Sequence, residues 1–153
     1  MKRILLPLLA AFVLPTAVNA EGTDNPYQKG SLMFYITRSY NRLNAGDYSG
    51  ALSDYDIVIG NKNIYKKAFG DLEEFDKFYM QRGNAKSNLG DHSGALADFN
   101  KALSLNRSNP LIYYNRGFTW FKLKNTSKGC KDFKKASSLG DSYSDKIIEK
   151  YCM

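Results

Sequence analysis

The stretch Gly90–Leu103, GDHSGALADFNKAL, has a near copy at Gly46–Ile59, GDYSGALSDYDIVI, and the interval between the two decides how the rest of the chain is read. Ala51 to Ala95, Asp54 to Asp98 and Tyr55 to Phe99 are each 44 residues apart. A more diverged third copy follows sooner: Ala95 to Gly129, Asp98 to Asp132, Phe99 to Phe133 and Ala102 to Ala136 are each 34 apart. The first interval is therefore the second plus ten inserted residues, which fall within Gly60–Asp71, GNKNIYKKAFGD. Fixed periods of ~20–50 residues signal stacked supersecondary units.

One unit, from about Asp76 to Asn109, contains two apolar patterns at helical spacing, broken by Asn88-Leu89-Gly90-Asp91, which reads as helix, turn, helix. Tyr79 and Gly83 share a face of the first helix, and Ala95, Phe99 and Ala102 share a face of the second. Small residues at Gly83 and Ala95 let antiparallel helices approach to ~8–10 Å, and the rings of Tyr79 and Phe99 fill the space beside them. Gly90 ends the first helix in a left-handed conformation and Asp91 caps the next. The same pattern recurs as Tyr113, Gly117, Gly129, Phe133 and Ala136, and as Tyr35, Ser39, Ala51, Tyr55 and Val58. One hairpin buries only one side of itself, so about three must stack.

An aromatic opening the first helix, a small residue four later, a leucine-glycine turn, and alanine, aromatic, alanine down the second helix resemble the tetratricopeptide repeat. The resemblance covers most of the chain. It implies an all-α fold, a right-handed α-solenoid of three repeats at about 32–65, 76–109 and 110–141. A capping helix at about 142–152 follows, with Ile147, Ile148 and Tyr151 on its apolar side. Seven helices are expected, with the ten inserted residues forming a loop before a helix that Asp71 and Glu74 would cap. Ile64, Tyr65 and Phe69 make that loop either a groove edge, a partner contact or a packed structural piece.

Repeats of this kind bind through a concave surface lined by the first helix of each pair. By resemblance, repeat one contributes Met33, Ile36, Thr37, Tyr40 and Leu43, and repeat two Met80, Gln81, Asn84 and Asn88. Repeat three contributes Tyr114, Asn115, Phe118, Phe121 and Lys122. Rings and methionines with amides between them suit an extended peptide or partner helix, although Phe118 and Phe121 at helical spacing are equally read as core. Family members that hold acidic chaperone tails carry lysine, asparagine and arginine at positions where this chain has Ile36, Tyr40, Gln81, Leu111 and Asn115. That subtype is not implied.

Nothing in the residues points to catalysis. The single histidine, His92, sits in a turn where Tyr48 stands in the first copy, and Asp54, Asp98 and Asp132 recur once per hairpin, as architectural residues do. No phosphate loop or metal-ligand spacing occurs, so neither enzyme activity nor a cofactor is expected.

Residues 1–20, MKRILLPLLAAFVLPTAVNA, have the charged start, short apolar run and small residues before a cut that mark a secretory signal peptide. The mature chain would begin at Glu21, with 21–30 a flexible lead-in and a single domain over 31–153. The alternative is an uncleaved amphipathic helix on a membrane surface. An exported protein belongs to an oxidising space, secreted or periplasmic, where Cys130 and Cys152 would form a disulfide rather than remain two buried thiols. The formal charge of +7 falls to +5 without Lys2 and Arg3, which favours anionic partners, though not nucleic acid outside the cell. Lysines gather late, with Lys128, Lys131 and Lys135 on one helical face. They are either a solvated surface or a contact for a membrane or anionic polymer. Two glycosylation sequons begin at Asn106 and Asn125. The leading expectation is a non-catalytic adaptor that binds a protein or peptide outside the cytoplasm; the alternative is a basic protein that binds an anionic surface.

Overall fold

A computed structural model of the chain describes residues 30–70 and 74–152. Among these residues there are eight helices and no strands. They are α1 (Leu32–Asn44), α2 (Tyr48–Gly60), α3 (Lys62–Phe69), α4 (Phe75–Asn88), α5 (His92–Leu105), α6 (Pro110–Lys122), α7 (Thr126–Ser138) and α8 (Ser142–Tyr151). The closest packing joins α1 to α2, α4 to α5 and α6 to α7, which are the three hairpins, and α8 lies against α7. None is long and apolar enough to cross a membrane. The signal segment, nearly all of the lead-in, and Asp71 lie outside the described residues.

Three of the turns between helices are built the same way. Gly46, Gly90 and Gly140 take φ of 79°, 88° and 96°. The next residue donates its backbone N–H five positions back: Asp47 to Arg42, Asp91 to Lys86, Asp141 to Ala136. These are the left-handed helix ends that glycine favours. The side chain of that next residue then caps the following helix, Asp47 on the Gly50 N–H at 2.9 Å and Asp91 on the Gly94 N–H at 2.8 Å. Between α6 and α7 the glycine position is held by Lys124, at φ 58°, and Asn125 supplies the cap.

The inserted residues were expected to form a loop; they form the eighth helix, α3. Tyr65 turns inward, 7% exposed, with its ring 5.3 Å from Phe75 and 5.5 Å from Phe78. Burial of an aromatic side chain is a large apolar gain, and it makes the insertion part of the first core cluster with Leu32, Ala51, Tyr55 and Val58. A second cluster, of Met80, Ala95, Phe99, Ala102, Leu103 and Ile112, joins the second hairpin to the third.

A buried ion-pair ladder runs through the stack. In each hairpin an arginine on the first helix holds a buried aspartate on the second through two hydrogen bonds: Arg38 to Asp54 at 2.8 and 2.6 Å, Arg82 to Asp98 at 2.8 and 2.6 Å, Arg116 to Asp132 at 2.8 and 2.7 Å. Arg42 and Lys86 add a second cation to Asp54 and Asp98. The remaining Nη1 of Arg82 reaches back to Asp56, and that of Arg116 to Asn100, each on the preceding hairpin. Such forked pairing fixes geometry in a way a point charge does not. It locks each hairpin internally and ties the second and third to their predecessors.

Candidate functional site

The first helices α1, α4 and α6 carry residues of equal repeat position on matching faces. Thr37, Gln81 and Asn115 form one row, and Tyr40, Asn84 and Phe118 the next. The sequence-derived residues divide by depth. Met33, Ile36 and Leu43 are half-buried, the last two packed on the first core cluster, and Tyr40 is 53% exposed. Met80 was expected to face a partner; at 5% exposure it is instead part of the second core cluster. It is excluded from the surface because the third hairpin packs over α4.

The polar centre is preorganised. The Asn84 amide donates to Gln81 Oε1 at 3.0 Å, and the Asn88 amide donates to the Asn84 carbonyl at 2.9 Å. Lys122 donates from Nζ to the Ser87 carbonyl at 3.2 Å, tying the end of α6 to that of α4. Beneath it the Ser87 and Thr119 hydroxyls share a buried hydrogen bond.

At the α6 end, three half-buried rings surround the fully buried Phe133: Phe118 at 5.0 Å, Phe121 at 5.1 Å and Tyr114 at 5.8 Å between centroids. Phe118 and Phe121 therefore do both things read from the sequence, since they pack on the core and keep part of their surface open. Burial, followed by the negative charge of Asp141 and by Tyr143, pushes the Tyr114 phenol above its usual pKa. Tyr143, 70% exposed, stands on α8, outside the repeat pattern. Arg38, Arg82 and Arg116 were also overlooked as a set; their spacing of 44 and 34 residues was the available signal.

Among these surface residues Lys122 alone is charged. His92 opens α5, away from any nucleophile described above, and its Nδ1 is buried without a hydrogen-bond partner among the described residues.

The architecture is that of a helical-hairpin solenoid, and comparison with known proteins places it. The TPR repeat family model matches residues 79–124. The first TPR domain of human RPAP3 superposes with a TM-score of 0.65 at 20% identity, covering 84% of this chain and 92% of that one. The first TPR of Spaghetti (RPAP3) bound to the HSP90 peptide SRMEEVD gives 0.64 at 21% identity, covering 79% and 90%. PcrH in complex with the chaperone binding region of PopB gives 0.60 at 13% identity, covering 78% and 90%. No curated protein matches by sequence. Residues 79–124 match the tetratricopeptide repeat model, and the fold is the tetratricopeptide solenoid.

Proposed function

We propose that this protein is a non-catalytic adaptor that works outside the cytoplasm and holds an extended peptide or partner segment against the faces of α1, α4 and α6. One observation carries the reading: this surface joins a row of amides, Gln81, Asn84, Asn88 and Asn115, to exposed or half-exposed rings at both ends. Amides match the backbone of an extended chain, and rings match apolar side chains. The Gln81 amide nitrogen and the Asn84 Oδ1 form no hydrogen bond among the described residues, so both are available to a ligand. Neighbours of the same fold hold an HSP90 peptide and a segment of PopB. The peptide SRMEEVD is acidic, whereas the surface here is nearly uncharged, which favours a neutral, partly apolar segment. The Cys130–Cys152 disulfide supports an oxidising compartment, as does the signal-like composition of residues 1–20.

The test is selection of peptides by the full chain from a random displayed library, followed by binding to Tyr40→Ala and Asn84→Ala variants. Both positions lie outside the core clusters, so the variants keep the fold. Loss of about tenfold in affinity is expected, equivalent to one good hydrogen bond or ring contact. Peptides that bind the variants as well as the parent chain sink the reading.

A further inference from the structure

The third hairpin carries five lysines at positions where its sister hairpins carry one between them. Lys124, Lys128, Lys131, Lys134 and Lys135 stand where the second hairpin has Gly90, Gly94, Ala97, Asn100 and Lys101, and the first has Gly46, Gly50, Ser53, Asp56 and Ile57. The architecture therefore does not call for lysine at the first four of these positions, and at Lys124 it opposes it. Lys124 adopts a left-handed backbone at φ 58°, which disfavours any residue with a Cβ. All five are exposed, and none pairs with a carboxylate among the described residues. The one acid of α7, Asp132, is buried and held by Arg116. Like charges on one helix repel, and an anionic ligand would relieve that repulsion.

The shape beside them narrows the ligand. Where α8 meets α7, an open cleft of about 520 Å³ is lined by Thr126, Ser127, Lys131, Lys134, the half-exposed Tyr151 and the Cys130–Cys152 disulfide. The volume falls in the range of small-ligand sites, ~300–1,000 Å³. Lys128 to Lys135 extend the cationic line along roughly 10 Å of α7, at ~1.5 Å per residue, with Lys124 in the turn before it. The concavity favours a chain-like ligand over a flat bilayer, and the disulfide favours an oxidising compartment. A chain of acidic sugars meets each feature: carboxylate or sulfate for the lysines, hydroxyls for Thr126 and Ser127, and an apolar ring face for Tyr151.

We propose that the outer face of α7 and its cleft with α8 bind a linear acidic polysaccharide, at a site separate from the surface of α1, α4 and α6. The test titrates labelled alginate and heparin oligosaccharides against the oxidised full chain over a range of salt. Binding is expected to weaken linearly in log salt. The Lys128→Gln, Lys131→Gln, Lys134→Gln variant is expected to lose roughly tenfold in affinity and to show a shallower slope. Tyr151→Ala should weaken binding with the slope unchanged, because it removes no charge, and Tyr40→Ala should leave both unchanged. The proposal is overturned if neither polysaccharide binds at low salt, if the triple variant or Tyr151→Ala binds like the parent, or if single-stranded DNA or phosphatidylglycerol vesicles bind more tightly than either sugar.

Discussion

At the scale of single residues, the clearest energetic statement concerns Asp98, 5% exposed at its side chain and held by both Arg82 and Lys86. Asp98→Ala strands Lys86 and leaves Arg82 with Asp56 alone. The expected loss in urea denaturation is about 3 kcal/mol, the lower end for a broken buried pair, because Arg82 and Lys86 keep 17% and 19% exposure and some water. Lys124 gives the opposite sign. Lys124→Gly removes a Cβ from a left-handed position and should stabilise the fold by roughly 1 kcal/mol, read as a raised denaturation midpoint with unchanged slope. If the α7 face binds polyanions, the same variant binds them less well. Burial pushes the Tyr55 phenol above its ordinary value of 10.0, with the contact to Ser39 pulling the other way. Its contribution to stability is complete below that ordinary value, which the unfolded chain retains, and is lost as pH climbs through the higher folded value. Melting temperatures between about pH 9 and 11 should therefore fall more steeply for the parent chain than for Tyr55→Phe.

Among the elements, α6 and α7 hold the least transferable packing. The sister hairpins have Ala51 and Ala95 where α7 has Gly129, so the repeat pattern alone would call Gly129→Ala harmless, and helix propensity would favour it by about 1 kcal/mol. In the structure a Cβ at Gly129 overlaps the Phe121 ring and lies 3.0 Å from the Gly117 carbonyl. The substitution should destabilise by about 1–3 kcal/mol. On a Phe121→Leu background, which restores the leucine that pairs with Ala51 in hairpin one, the cost should shrink. Differential scanning calorimetry on the four chains of that cycle measures the coupling.

Across the whole molecule, two devices keep a short solenoid closed. The ladder Asp56–Arg82–Asp98 and Asn100–Arg116–Asp132 runs from α2 to α7, and it stops there because Lys134 replaces the acceptor. Beyond it the Cys130–Cys152 disulfide, with Cα atoms 5.5 Å apart, clips α8 to α7 across a sequence separation of 22 residues. Cys130→Ser, Cys152→Ser should lower stability by roughly 3 kcal/mol on the chain-entropy account, and hydrogen exchange should speed up first in α8 and at Phe121, whose ring lies 6.1 Å from Tyr151. The repeat interval, the hairpin turns and the class of fold were determined by the sequence alone, because glycine at a left-handed turn, an aspartate cap and a small residue opposite a ring are local requirements written every 34 residues. Tertiary structure alone decided that Met80 is core, that Tyr65 folds the insertion into α3, and that Arg82 and Arg116 each span two hairpins. Those outcomes depend on which neighbouring hairpin covers a side chain, and burial and pairing between hairpins leave no period in the sequence.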